Sequence, residues 1–333
     1  MFENKTILID GGSGSWGNEL TTQLLERNPK KIIIFSRGEF AQVNMDRKFQ
    51  NPKIEFIIGD VRDADAVDRL FNNKDIDYVF HLAALKHVPV CENQPQEAIK
   101  TNINGTINLI NSSIKYGVKK FIDVSTDKAV SPTNLYGMTK AVGERLTIQA
   151  NNLCDYTHFV CVRGGNVLGS NGSVVPYFIE QIKTHNKITI TDALMTRFFL
   201  TLPEAIGLVF QAAENSVGGE TYVMNMPSFH ILWLAQILAD HYGDDKTQIV
   251  QIGAREGEKI HEVLISEHEA PHAYVLNKDY YVILPSIKIN KDYSYIDKSS
   301  RVNFKSFSSS DKVSSNLHLI DLLKKGGFLN ETV

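Results

Sequence analysis

Tyr136 and Lys140 stand four residues apart in a stretch of helical spacing, and Ser125-Thr126-Asp127-Lys128 lies just upstream. Side chains four apart share a helix face, so the phenol and the ammonium are expected side by side. A phenol with a pKa of about 10 must come down to about 7, on the order of 4 kcal/mol, to accept a proton near neutrality. The adjacent ammonium would lower it, and so would the positive ring of an oxidised nicotinamide. Such a pair can take a hydroxyl proton while a hydride leaves the same carbon. Asp127 and Lys128 add a carboxyl and an amine for a second acid-base step. They are expected at a strand end, where consecutive side chains diverge and address different atoms. A Tyr-x-x-x-Lys spacing alone is common on helix surfaces, so its surroundings decide its meaning.

Upstream, the apolar run Thr6 to Ile9 leads into Asp10-Gly-Gly-Ser-Gly-Ser-Trp-Gly17 and then into a helical pattern, Glu19 to Arg27. Gly11, Gly14 and Gly17 have the spacing that lets a turn tighten and bring backbone N–H groups to a pyrophosphate at a helix N-terminus. Ser13, Ser15 and Trp16 belong to the same loop and are candidates with them. A dinucleotide site that selects NAD has an acidic residue some 20 residues on. Here Ser36 and Arg37 stand at the end of the second strand. A hydroxyl and a guanidinium suit a 2'-phosphate. NADP is therefore the expected cofactor and NAD the lesser candidate. Asp60 and Val61, after the third strand, are placed near adenine, with a helix N-cap as the other reading of Asp60.

Short β-branched runs recur at Thr6 to Ile9, Lys31 to Phe35, Ile54 to Ile58, Tyr78 to Leu82, Lys120 to Val124 and His158 to Val162, with helical patterns between them. That alternation predicts an α/β fold with a doubly wound, Rossmann-like parallel sheet over residues 1–165. Residues 166–333 are expected to be mainly a smaller substrate-binding domain. Segments near 200–228 should return to the first sheet, with helices at Pro203 to Asn215 and Ile231 to Tyr242. A serine-rich stretch near 298–316 is expected to be an exposed loop before a closing helix, Leu317 to Lys325.

The chain of 333 residues is 43% hydrophobic and 22% charged, ordinary globular composition. Its 35 basic and 38 acidic residues give a formal charge of -3 without like-charge runs, which argues against nucleic-acid and membrane-surface roles. Three scattered cysteines build neither a disulfide framework nor a zinc site, and no cluster has metal spacing. No metal is expected. A reducing, cytoplasmic setting is, since no signal peptide or span of about 18 apolar residues is seen.

The segments Ser36-Arg37, Ala83-Ala-Leu-Lys-His-Val-Pro89, Thr101-Asn102, Ser125-Thr-Asp-Lys-Ala129, Asn134-Leu-Tyr-Gly137, Gly165-Asn-Val167, Gly172-Ser-Val-Val-Pro176, Met195-Thr-Arg197 and Gly257-Glu-Lys-Ile-His-Glu262 carry a resemblance over about residues 6 to 290. The chain resembles the extended short-chain dehydrogenase/reductase superfamily, and within it the NADP-dependent UDP-N-acetylglucosamine 4,6-dehydratases. The resemblance implies a hydro-lyase acting on a UDP-sugar. Tyr136, with Lys140 and with Thr126 or Ser125 on the same oxygen, would serve oxidation at carbon 4. Lys128 would take the carbon-5 proton, Asp127 would protonate the departing 6-hydroxyl, and the hydride would return to carbon 6. For that, Lys128 would need a depressed pKa, expected from burial beside Lys140 and the nicotinamide charge. Ala83, Ala84, Lys86 and Asn102 fall to the cofactor by position. Lys86, Asn166, Val174, Arg197, Arg255 and Glu258 fall to the substrate. Homo-oligomers are common among such enzymes and one is expected here.

The chain also departs from the pattern. Ala41 stands where a lysine often helps hold the 2'-phosphate, Gly164 where a tyrosine is common, and Asp10 where a threonine or small residue is usual. Carbon-5 inversion and retention both remain open. A nucleotide-sugar 4-epimerase would share the cofactor and the Tyr-Lys pair but leave Asp127-Lys128 without a task. A non-catalytic NADP-binding sensor would need none of the three acid-base residues.

Overall fold

A computed structural model describes residues 1–72, 74–254 and 257–329. Six parallel strands alternate with helices through the first half: β1 (Thr6–Asp10), β2 (Lys31–Ser36), β3 (Ile54–Ile58), β4 (Tyr78–His81), β5 (Lys120–Thr126) and β6 (His158–Gly164). The helices that bear on the site are α1 (Ser15–Leu25), α2 (Glu39–Phe49), α3 (Ala64–Phe71), α4 (Val88–Asn93), α5 (Pro95–Ile99), α6 (Gly105–Lys115), α7 (Leu135–Ala150) and α8 (Val174–His185).

The sheet has nine strands. From one edge the order is Ala273–Val275, Tyr280–Ile283, Thr221–Met224, β6, β5, β4, β1, β2, β3. Its apolar runs are continuous because both faces are covered. Ile7, Ile9, Ile32 and Ile34 join Leu20 and Leu24 of α1 and the helix Leu202–Asn215 on one side. Leu8, Ile33 and Phe35 join Val67 and Leu70 of α3 and Leu109 of α6 on the other. Thr221–Met224 lies parallel to β6, and the chain comes back again at Ala273–Ile283 to pair antiparallel beyond it. That second return carries no helical crossover and no continuous apolar run, so nothing in its sequence pattern marks it as part of the large sheet.

A separate apolar cluster joins α8 to the helices Ile231–Tyr242 and Asn316–Lys325 and to the strand Lys187–Ile190, which pairs with Gln248–Gln251. The serine-rich stretch differs from the exposed loop expected. Phe307–Ser308 pairs with Val263–Ile265, and Ser309 is fully buried. The Ser309 hydroxyl lies 2.7 Å from Thr196 Oγ1 and accepts from the Glu262 amide at 2.9 Å. A serine whose hydroxyl has partners is buried at little cost, which composition alone does not disclose. No described helix is long and apolar enough to cross a membrane.

Candidate active site

The strand order reverses between β1 and β4, and ligands of open α/β sheets bind at that switch. Gly11 follows β1 with φ of 62°, and a Cβ there would stand 2.7 Å from the Ala83 amide nitrogen. Only glycine lets the two loops approach so closely. Gly14 begins α1 without a side-chain cap, which leaves first-turn N–H groups for an anion. The loop therefore fits a dinucleotide pyrophosphate.

Asp10 now has a physical account. It is fully buried at the end of β1. Its Oδ1 accepts from the amides of Ala83 at 2.8 Å and Leu82 at 3.2 Å and lies 2.8 Å from His81 Nδ1. The carboxylate ties the segment after β4 to the glycine turn. Gly164 is explained as well, because a Cβ there would stand 3.3 Å from two ring carbons of Trp16. Trp16 supplies the aromatic wall at this point, and position 164 has room only for glycine.

A cleft of about 680 Å³ runs from this turn in both directions. Gly11, Gly14, Ser15, Trp16, Gly17, Ser36, Arg37, Asp60, Val61, Ala83, Ala84 and Lys86 line it toward the cofactor end. Ser125, Thr126, Lys128, Tyr136, Asn166 and Val174 line it toward the other. Ser13 is set back, its hydroxyl 3.0 Å from that of Ser36, which also accepts from Gln42 Nε2 at 2.9 Å. Arg37 is half exposed, 3.9 Å from Asp60. The N-cap of α3 is Asp63, whose side chain accepts from the Ala66 amide, so that reading of Asp60 falls. Burial disfavours the Asp60 carboxylate, but Arg62 and Arg37 outweigh it and hold the group below its ordinary pKa.

Other expected site residues lie behind the cleft wall. Asn102, in a π-helical turn, accepts from the Leu85 amide and donates to Leu85 O and Thr139 Oγ1, pinning the loop that carries Lys86. Lys86 Nζ donates to Asn171 O at 2.6 Å across the cleft. Arg197 is buried and donates to the carbonyls of Thr196, Lys259 and Ile260, with Glu258 at 3.5 Å. Neither Arg197 nor Glu258 lines the cleft. Arg255 lies outside the described residues.

At the chemical centre, Asn134 caps α7 by accepting from the Gly137 amide and donates to Gly257 O. A Cβ at Gly137 would stand 2.2 Å from Lys128 O, so the helix packs directly on the turn that carries Lys128. Lys140 is buried beneath Tyr136 and pairs with Asp123 at 2.9 Å. Burial disfavours the Lys140 charge, yet Asp123 holds its pKa above the ordinary value. Asp123 was not singled out from sequence, although a carboxylate inside an apolar strand is itself a signal that a cation must face it. Asp123→Asn is expected to cost about 3 kcal/mol of stability, because it leaves a buried ammonium without its counter-charge. Denaturant unfolding checks this.

Two expectations at Asp127 and Lys128 are corrected. The chain leaves β5 at Thr126 into a 3-10 turn, Asp127–Ala129, whose Lys128 amide is capped by the Thr126 hydroxyl. Strand alternation ends there, so the two side chains converge, with Lys128 Nζ 3.0 Å from Asp127 Oδ1. Lys128 also stands 3.5 Å from Glu262, a buried acid that the sequence reading passed over. Burial opposes the Lys128 charge, but Asp127 and Glu262 outweigh burial and raise its pKa instead of depressing it. Tyr136 is raised by burial despite Lys140, Lys128 and Thr126. The lowering that its chemistry needs must therefore come with the bound positive ring.

A profile described as polysaccharide biosynthesis protein matches residues 7–284. A Campylobacter jejuni protein named UDP-N-acetylglucosamine 4,6-dehydratase (inverting) is 44% identical over 300 residues, 89% of this chain and 87% of that protein. A Rickettsia canadensis protein named UDP-glucose 4-epimerase is 44% identical over 289 residues, 85% of this chain and 84% of that protein. The X-ray structure of Pen from Bacillus thuringiensis superposes with a TM-score of 0.92 at 37% identity, covering 99% of this chain and all of that one. With its nucleotide cradle, its Tyr-Lys pair and this match along most of its length, the chain belongs to the polysaccharide biosynthesis protein family.

Proposed function

We propose that the chain is an NADP-dependent UDP-N-acetylglucosamine 4,6-dehydratase, a hydro-lyase that forms a 4-keto-6-deoxy sugar nucleotide. The observation that carries the reading is the second acid-base pair. Lys128 faces the same cleft as Tyr136 while bonded to Asp127, whose carboxylate also accepts from Thr126. A 4-epimerase needs Tyr136 and Lys140 but has no use for a further acid and base beside them. The dehydratase name among the relatives supports the reading, and the epimerase names are its alternative.

A nicotinamide dinucleotide would be held by the Gly11 turn, the uncapped start of α1, and Ser36 and Arg37. When bound, it accepts hydrogen from carbon 4 and gives it to carbon 6. Tyr136 takes the 4-hydroxyl proton with Thr126 beside it. The new carbonyl acidifies carbon 5, whose proton passes to Lys128. Lys128 must first yield the proton that Asp127 and Glu262 favour on it. Asp127 protonates the leaving 6-hydroxyl, and Lys128 returns the proton to carbon 5.

Arg37 and Ser36 support NADP as the form used. Arg37→Ala is expected to weaken NADP binding about 10-fold to 100-fold, the worth of a charge-assisted contact, and to leave NAD nearly untouched. Titration with both cofactors measures it, and equal losses would contradict the assignment. The reaction itself is tested by incubation with UDP-N-acetylglucosamine in deuterated water. A product lighter by one water, with deuterium at carbon 5 and a new methyl signal, supports the reading, and its ring couplings give the carbon-5 configuration. An unchanged mass with a new 4-epimer overturns it.

A further inference from the structure

We propose that Thr126 closes the proton cycle of the dehydration by passing one proton per turnover from Tyr136 to Asp127. The inference rests on the 4,6-dehydratase reading above. Its starting point is the proton balance of that reaction. The 4-hydroxyl becomes a ketone and stays one, so the proton that it gives to Tyr136 never returns to it. The 6-hydroxyl leaves as water and carries away a proton from Asp127. The carbon-5 proton is removed and replaced through Lys128, so that site balances by itself. Each turnover therefore leaves Tyr136 with a proton too many and Asp127 with one too few. Until that proton moves, the next sugar meets a spent base and a spent acid.

Thr126 stands between the two groups. Its hydroxyl donates to Asp127 Oδ1 at 2.8 Å and lies within hydrogen-bonding reach of the Tyr136 side chain. Asp127 is fully buried and does not line the cleft, so bulk water has no direct access to it. Its Oδ2 has no partner among the described residues. Lys128 Nζ also touches Asp127 Oδ1, at 3.0 Å. A proton delivered from there would leave the excess on Tyr136 where it is. Thr126 is the described side chain placed between both.

The transfer balances without an oxidant or a further reactant. The Tyr136 O–H bond breaks as its proton joins Thr126 Oγ1, and the original Thr126 O–H bond breaks as that proton joins Asp127 Oδ1. Thr126 ends as a hydroxyl, now donating toward the phenolate. Tyr136 is again a base and Asp127 again an acid. The structure, in which Thr126 donates to an accepting Asp127, has the polarity expected before this transfer.

The test compares wild type, Thr126→Val and Thr126→Ser with NADP and UDP-N-acetylglucosamine, following dehydrated product by rapid quench through the first and later turnovers. Thr126→Val keeps the volume and removes the relay. It should form one equivalent of product per site and then slow, with the ratio of later to first-turnover rate falling about 100-fold below that of wild type. Thr126→Ser, which keeps a hydroxyl, should restore the ratio. A Thr126→Val enzyme whose first and later turnovers are slowed by the same factor, leaving the ratio as in wild type, overturns the relay alone. A wild type that releases no dehydrated product overturns the reaction reading together with it.

Discussion

Tyr136→Phe should lower turnover by about three orders of magnitude, the range for losing a positioned acid-base group. It should do so without weakening the cofactor, whose cradle lies on the other arm of the cleft. The ring still fills its place against the Lys128 turn, so the loss would be one of proton transfer. With the 4-hydroxyl still protonated, no carbonyl forms, carbon 5 is not acidified, and no step follows. Mixing the variant with substrate should produce no reduced nicotinamide absorbance and no product, while NADP titrates as in wild type. A variant that still dehydrates at more than a tenth of the wild-type rate would mean that another group takes this proton.

Lys128→Ala should fail later in the sequence, which distinguishes it from the first variant. Oxidation at carbon 4 depends on Tyr136 and Lys140, and neither touches Lys128 in a listed ion pair or hydrogen bond of its own: Lys140 is held by Asp123. The sugar should be oxidised and then stall, so reduced nicotinamide builds up while water release falls by about three orders of magnitude. Stopped-flow absorbance and product analysis read the two halves separately. The fold should survive, because Glu262 keeps Arg197 at 3.9 Å and Lys259 at 3.9 Å, and Asp127 keeps Thr126. An epimerase with Lys128→Ala would turn over as before.

Much of the first half was legible because its physics is local. The six strands announce themselves as apolar runs, and the structure places each within a residue or two of where the pattern does. Tyr136 and Lys140 share a helix whose cap, Asn134, is also local. What escaped depends on partners distant in sequence. Asp10 reads as an anomaly until Ala83 and His81, more than 70 residues on, are seen to satisfy it. Arg197 reads as a ligand for phosphate until three backbone carbonyls use its donors. Lys128 reads as a depressed amine until Glu262, 134 residues away, adds a second negative charge. The Asp127–Lys128 geometry was missed for a local reason, since the strand was taken one turn too far.

The most direct test of the central claim uses UDP-N-acetylglucosamine carrying deuterium at carbon 4, turned over in ordinary water with catalytic NADP. A 4,6-dehydratase must move that label within one molecule, so the product should carry the deuterium in its new 6-methyl group and none at carbon 4. Label that remains at carbon 4 of an intact hexose, with the 4-hydroxyl inverted and the 6-hydroxyl retained, would contradict the account and establish the epimerase.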